Sequence, residues 1–204
     1  MRATVQTKEI RDAILDATDK LLAKYGYQKM TIDDLAAEVG IGKGSIYLHF
    51  KSKEEIALSH VDRIVDRLCA RLETTAASDL APDAKLRQMA LERVSYRFKS
   101  VQHYSQSINE LLSSLRAKLL ARRREHHARE AAIFARVITE GQKKNLFING
   151  KPTQTANAFI TATNALLPFG LSTKELGERK EIENKALTVV NILLRGITYH
   201  KEQS

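Results

Sequence analysis

Polar and basic side chains follow one another between Lys43 and Lys53. The hydrogen-bond donors among them include Lys43, Ser45, Tyr47, His49, Lys51 and Lys53. Ammonium, hydroxyl and imidazole groups all bind phosphate oxygens, and short residues at a helix start can approach base edges. Gly44 has no side chain and lets a partner come close to the backbone. This segment therefore predicts a DNA-binding surface.

A helix-turn-helix is predicted to position these side chains. Thr31 can cap a helix together with Asp34, three residues later. The apolar residues of that helix have helical spacing: Ile32, Leu35, Ala36 and Val39. Gly40 can adopt the left-handed conformation that ends a helix, and a second helix is predicted from about Gly42 to about Tyr47. In such a unit the second helix enters the major groove.

The second helix is expected to be held by apolar residues, and another helix is predicted after it. Ile46 and Phe50 are expected to pack inward, away from DNA. Ser52 and Glu55 have the S-x-x-E spacing of a capping box, so a further long helix is predicted to begin there and to end near Glu73.

The stretch from Thr31 to Glu55 reads T-I-x-D-L-A-x-x-x-G-x-x-K-G-S-I-Y-x-H-F-K-S-K-E-E. This pattern resembles the DNA-binding domain of the tetracycline-repressor (TetR) family of bacterial transcription regulators, over roughly Lys8 to Leu58. The resemblance implies that Lys43, Gly44, Ser45 and Tyr47 form the base-reading surface. It also implies that Thr31, His49 and Lys53 contact phosphates. The alternative is an ordinary helical hairpin with a solvated basic face.

An all-α fold is predicted, because 204 residues hold only three prolines and nine glycines and show no sustained strand-like alternation. We expect a helix-turn-helix DNA-binding domain over residues 1–52 and a helical ligand-binding and dimerisation domain over residues 53–204. No apolar run is long enough to cross a membrane and no signal peptide is recognisable, so a cytoplasmic protein is expected. The single cysteine, Cys69, is interpreted as a core residue.

The net charge of +9 does not by itself explain DNA binding. The first 60 residues carry nine Lys and Arg against nine Asp and Glu, so the excess lies beyond the predicted DNA-binding domain. In the predicted DNA-binding domain, the positions of individual basic side chains must therefore attract DNA, since the domain has no net charge excess. No G-x-S-x-G, H-E-x-x-H, Walker A or G-x-G-x-x-G pattern is present, and the chain is not predicted to be an enzyme or to need a cofactor.

The block ARRREHHARE at residues 121–130 interrupts an apolar stripe of helical spacing. The favoured interpretation is a solvated middle turn of a long helix, with His126 and Glu130 as an i, i+4 pair of small value. Alternatively, these groups line a cavity and bind a polar or anionic part of a ligand. A metal site is not expected, because adjacent histidines such as His126 and His127 diverge by about 100° on a helix.

The family resemblance implies that an unknown small-molecule effector enters the helical body. The candidate pocket residues are those whose size or polarity suits a ligand cavity: Met89, Phe98, Tyr104, Arg123, His126, Phe134 and Asn164. Each of them also suits an ordinary protein core.

Two apolar helices near the end of the chain are predicted to form a homodimer interface as a four-helix bundle. The residues assigned to that interface are Phe159, Thr163, Leu166, Leu167, Ile182, Ala186, Val189, Val190, Leu193 and Ile197. Alternatively, both helices close the core of the monomer. The predicted function is a ligand-responsive regulator that binds a palindromic operator in double-stranded DNA as a dimer, with repression as the family's usual mode. The other class considered is an architectural DNA-binding protein without ligand control.

Overall fold

The computed structural model describes residues 2–102, 107–167 and 177–199, and helices account for most of them. Their bounds are α1 Arg2–Lys29, α2 Ile32–Val39, α3 Lys43–His49, α4 Lys53–Ala76, α5 Pro82–Gln102, α6 Ser107–Lys143, α7 Pro152–Ala165 and α8 Arg179–Ile197. The predicted all-α fold is confirmed. Beside the helices, the described ranges contain one isolated antiparallel bridge, between Phe147 and Thr198.

The chain forms two compact units, which we call the head and the body. The head comprises residues 1–65 and 103–120, and the body comprises residues 66–102 and 121–204. The domain division after residue 52 stays a prediction.

The head has one apolar core, to which several helices contribute. Its buried members include Ile14, Leu22, Leu35, Ile46, Phe50, Ile56, Leu115 and Leu119. Ile46 and Phe50 are 0% and 1% exposed, so the prediction that they pack inward is confirmed. This packing fixes α3 against α1 and α2, because a buried side chain of this size stabilises its position by about 1.5–3 kcal/mol.

The body is built around α5, and α8 packs against both α5 and α7. Its buried side chains include Leu86, Met89, Val94, Phe134, Val137, Phe159, Ile182 and Val190. The loop after α6 is held to the end of α8, where Ile148 N donates to Ile197 O at 2.8 Å and Tyr199 N donates to Leu146 O at 3.0 Å. The ring of Phe147 occupies the place that a Cβ at Gly141 would take, so this loop crosses α6 at close range.

One predicted element boundary is corrected, because the helix expected to end near Glu73 continues to Ala76. The helix Ser107–Lys143 consists of two stretches joined across a kink. A non-helical residue, Leu115 (φ −122°, ψ 15°), lies within α6. Within the part of the chain described, none of the helices is both long enough and apolar enough to cross a membrane.

Candidate nucleic-acid interface and a buried polar cluster

The two ends of α2 are each defined by a cap. Asp34 N donates to Thr31 Oγ1 at 3.1 Å, and Thr31 N donates to Asp34 Oδ2 at 3.0 Å, which completes the predicted capping box. The Asp34 carboxylate also accepts from the Thr31 hydroxyl at 2.6 Å, and this bond, with the one from Thr31 N, holds the pKa of Asp34 below its usual range. Gly40 has φ 76° and ψ 32°, and its N–H donates to Ala36 O at 2.9 Å. The chain therefore leaves α2 through a left-handed residue, as predicted.

The outer face of α3 presents most of the residues assigned to base reading. Lys43, Gly44 and Tyr47 are exposed, Tyr47 to 49%, whereas Ser45 is half-buried. A Cβ at Gly44 would meet no protein atom within 4 Å, so packing within the chain does not require glycine there. Glycine in a helix costs about 0.5–1 kcal/mol relative to alanine. Close approach by a partner would account for that cost.

Leu48 is an exposed residue of α3 that sequence reasoning missed. It is 84% exposed, more than any other large apolar side chain described. It lies between the exposed Tyr47 and the half-buried His49, outside the inward stripe of Ile46 and Phe50. Its position one residue off that stripe is the signal that could have found it. An apolar side chain there can contact a thymine methyl group.

The ammonium groups of Lys43 and Lys53 both contact oxygen atoms of the chain itself. Lys43 Nζ forms an ion pair with Asp33 Oδ2 at 2.8 Å, and this hydrogen bond raises the pKa of the lysine. Lys53 Nζ donates to Tyr27 O at 3.0 Å and to Gln28 O at 3.3 Å. Lys53 thus binds carbonyls at the end of α1, a common role for a cation at a helix C-terminus.

Arg11 holds α3 from the side of α1. Its Nη1 donates to His49 O at 2.9 Å, and its guanidinium lies 4.1 Å from the centre of the Phe50 ring. Thr31 is exposed and His49 is half-buried. Arg11 was not among the predicted site residues, because only the fold brings it to the end of α3.

Residues 14–59 match the family model described as bacterial regulatory proteins, tetR family. The match covers part of α1, all of α2 and α3 and the start of α4, so the sequence likeness to this family is shown for that part of the chain. The transcriptional regulator YerO of Bacillus subtilis is 47% identical over 51 residues, which are 25% of this chain and 18% of YerO. The repressor KstR2 of Rhodococcus jostii is 27% identical over 158 residues, 75% of each chain. Several of the curated relatives are matched over about half of their length or less.

A TetR-family regulator from Pectobacterium atrosepticum has the same fold, with a TM-score of 0.75 and 18% identity over 97% of this chain and 98% of its own. YerO is named an HTH-type transcriptional regulator and KstR2 an HTH-type transcriptional repressor. The TetR resemblance is therefore carried by the head in sequence and by nearly the whole chain in fold.

The interrupted stripe of α6 is a buried polar cluster, and the solvated turn favoured from sequence is wrong. Glu130 is 0% exposed and His126 is 7% exposed. Glu130 forms ion pairs with two arginines of α5: Arg93, and Arg97, whose Nη2 lies 2.7 Å from Glu130 Oε1. Burial alone would raise the pKa of Glu130, but the two arginines lower it. The apolar stripe is interrupted at Glu130 because the carboxylate of this residue forms ion pairs with the two arginines of α5.

Arg93 is the most deeply buried cation of this cluster, at 1% exposed. Its Nη1 donates to Thr163 Oγ1 at 2.7 Å and its Nη2 donates to Asn164 Oδ1 at 2.6 Å, while Nε binds Glu130. Burial, together with the charge of Arg97, lowers the pKa of Arg93 to about 10. Neither Arg93 nor Arg97 was predicted, because the sequence shows no partner near them in the chain.

The predicted pocket residues do not converge on one described cavity. Met89, Phe98 and Phe134 are buried core residues, as is Cys69, and Asn164 belongs to the polar cluster. Arg123 is half-buried, and Tyr104 lies outside the described residues.

A groove of about 490 Å³ on the body is lined by other side chains: Ala135, Arg136, Thr139, Glu140, Lys143, Pro152 and Thr153. Over the described ranges, no group of three His, Cys, Asp or Glu residues could hold a metal ion.

The predicted interface residues divide into two sets. Half of them are buried within the single chain: Phe159, Thr163, Ile182, Ala186 and Val190. The others are partly exposed: Leu166, Leu167, Val189, Leu193 and Ile197. The buried set closes the core of the body, so its side chains are not available to a second chain. Sequence reasoning also missed Ile192 of α8, which is 63% exposed.

Proposed function

We propose that this protein is a repressor of the TetR family that binds a palindromic DNA operator as a homodimer and is released by a small-molecule effector. The exposed face of α3, held on a packed three-helix unit, carries the proposal. A regulator of chromosomal genes would act in the cytoplasm.

DNA recognition is assigned to the N-terminal part of α3. Lys43 and Tyr47 are exposed donors on one face, and Gly44 between them allows the backbone to approach the groove. Thr31 and His49 flank this face as candidate phosphate ligands. Lys53 would bind phosphate with the one N–H group that its two carbonyl hydrogen bonds leave over.

Dimerisation is assigned to the outer faces of α7 and α8. On α7 this face consists of small residues, Ala158, Ala162 and Ala165, which let another helix approach closely. On α8 it carries Val189, Ile192 and Leu193 beside the buried stripe. Two such helices from each chain would form a four-helix bundle about a two-fold axis. One helix-turn-helix makes too few contacts for gene-level specificity, whereas a dimer reads two half-sites at fixed spacing.

Repression and effector control complete the proposal. KstR2 is named a repressor, and occlusion of a promoter by a bound dimer needs no additional activating surface. An effector would release DNA by binding better to the arrangement of the two α3 helices that does not fit the operator. A coupling free energy of about 1–3 kcal/mol is typical of such control.

Selection of DNA from a random pool, followed by affinity measurement at two salt concentrations, tests the proposal. We expect a palindromic site, bound with an affinity at least about 10³ times that for random DNA. A double variant, Lys43→Ala with Tyr47→Ala, should select no site and serves as the matched control. Binding without sequence preference that collapses as salt rises would instead establish the architectural class.

A further inference from the structure

The buried cluster of the body has an unequal number of positive and negative groups. Glu130 is the carboxylate shared by Arg93 and Arg97, and it accepts from both. Among the described residues, no second carboxylate binds either arginine. Within the described part of the chain, one positive charge of the cluster therefore has no carboxylate partner, in a region where charge is costly to bury without one.

The two arginines differ in solvent exposure and in the number of hydrogen bonds that they donate. Arg93 is 1% exposed, and all three of its nitrogens donate to protein oxygens. The Arg97 side chain is 25% exposed, and two of its N–H groups donate, to Asn164 Oδ1 at 2.9 Å and Glu130 Oε1 at 2.7 Å. A guanidinium has five N–H groups, so within the described contacts Arg97 keeps three. Arg97 is thus the member of the cluster that can bind another group.

The contact with Asn164 determines the protonation state of His127 at the edge of the cluster. Asn164 Oδ1 accepts from both Arg93 and Arg97, so its Nδ2 faces His127 Nε2 at 3.2 Å. An amide nitrogen only donates, and His127 Nε2 must therefore accept, which leaves the imidazole neutral with its proton on Nδ1. Burial and the charge of Arg97 lower the pKa of His127 to about 4, in agreement with this state. His127 therefore adds a hydrogen-bond donor and no charge.

The Arg97 guanidinium and the neutral His127 imidazole both contact Asn164, and together they offer hydrogen-bond donors to an anion with two oxygens. Guanidinium groups bind carboxylates and phosphates through paired N–H donors, and a bound anion would balance the uncompensated charge. Glu130 Oε1 already accepts one charge-assisted hydrogen bond from Arg97, at 2.7 Å. We propose that the effector of this regulator is an organic anion whose carboxylate or phosphate group binds Arg97 beside His127. This inference rests on the proposed function, in which a small molecule controls the protein.

Calorimetric titration of the full chain at constant ionic strength tests the site with three probes that share one tail: octanoate, octyl phosphate and octan-1-ol. We expect at least one anion to bind at least tenfold more tightly than the alcohol, and the stronger of the two distinguishes carboxylate from phosphate. Equal binding of all three probes, or binding of none, would overturn the inference.

The variant Arg97→Gln should weaken binding of the preferred anion about tenfold or more, because a charge-assisted hydrogen bond is lost. Lys99→Gln is the matched control, since Lys99 is an exposed cation two residues further along α5. Thermal unfolding should show both variants folded. Unchanged anion binding by Arg97→Gln would mean that Arg97 is a structural residue only.

Operator release separates this inference from the proposed function. With the selected operator in hand, the preferred anion should release the unmodified protein and the Lys99→Gln variant but not Arg97→Gln. If no operator is found while anion binding depends on Arg97, the repressor proposal fails and the anion site stands. If an operator is found and no anion binds, the inference alone fails.

Discussion

Lys43, the first residue of α3, forms an ion pair with Asp33 of α2 at 2.8 Å. Both side chains are solvent-exposed, so the pair itself contributes little to stability. We expect a larger effect on DNA binding, because a carboxylate next to the proposed recognition helix would repel phosphates and compete for the lysine. The pair connects α2 with the proposed base-reading surface.

The variant Asp33→Asn should increase affinity for DNA of any sequence several-fold at low salt. It frees Lys43 and removes a negative charge close to the phosphates, so the slope of log K against log salt should steepen by about one. Electrophoretic mobility shifts at several salt concentrations measure both. Glu181→Gln, which breaks a similar exposed pair with Lys185 on α8, is the control and should change neither. An unaltered slope in Asp33→Asn would show that Asp33 and Lys43 lie away from the bound DNA.

Single replacement of Lys43 or Tyr47 by alanine should weaken operator binding by about 1–3 kcal/mol, and Lys43→Ala should also relax base preference. Both side chains are exposed, so thermal unfolding should not change. Lys185→Ala on α8 controls for the loss of one surface charge. Full operator affinity in both α3 variants would remove these residues from the site.

Ile192→Arg should convert the proposed dimer into folded monomers. Ile192 is 63% exposed in the single chain, so a charge there disturbs an interface without disturbing the core. Val190→Arg should instead unfold the body, because Val190 is 0% exposed. Light scattering gives the mass and circular dichroism the helix content. A dimer that survives Ile192→Arg would move the interface to another face.

The predictable parts of this structure are those that depend on near neighbours in sequence. Thr31 with Asp34, and the left-handed Gly40, are read directly because a cap involves residues within one turn. Ser52 also caps α4, and Glu55 N donates to its Oγ at 3.1 Å. The Glu55 carboxylate differs from the expected box, since it accepts from Lys51 N at 2.7 Å.

Long-range partners could not be predicted. Glu130 looked solvated because its ion-pair partners, Arg93 and Arg97, lie 37 and 33 residues away on another helix. The prediction that the apolar face through Ile182 and Val190 contacts a second chain is wrong for a related reason. Helical spacing shows that a face is buried but not which helix buries it.

Glu130→Gln should destabilise the body by about 3–5 kcal/mol, since it leaves two arginines without a carboxylate in a buried cluster. Chemical unfolding monitored by circular dichroism measures the loss. Glu183→Gln offers a comparison, because Glu183 binds Ser95 and Arg179 near the surface and should cost far less. Similar losses in the two variants would contradict the buried charge imbalance.

The stability of the protein should fall as pH drops from about 6.5 to about 4, and His127 should account for part of the fall. Burial and the positive charges of Arg97, Arg93 and Arg123 outweigh Glu130 and lower the pKa of His127 to about 4, against an ordinary value of 6.5. Between these values the unfolded chain binds a proton that the folded chain does not, so acid favours unfolding.

The variant His127→Gln keeps an acceptor for Asn164 and removes the titration of the imidazole. Urea unfolding at pH 7, 6 and 5 should therefore give a flatter dependence in the variant. These values lie above the pKa of Glu130, which is lowered, so its carboxylate stays charged throughout and does not contribute to the difference. Equal pH dependence in both proteins would show that His127 is not held neutral by the arginines.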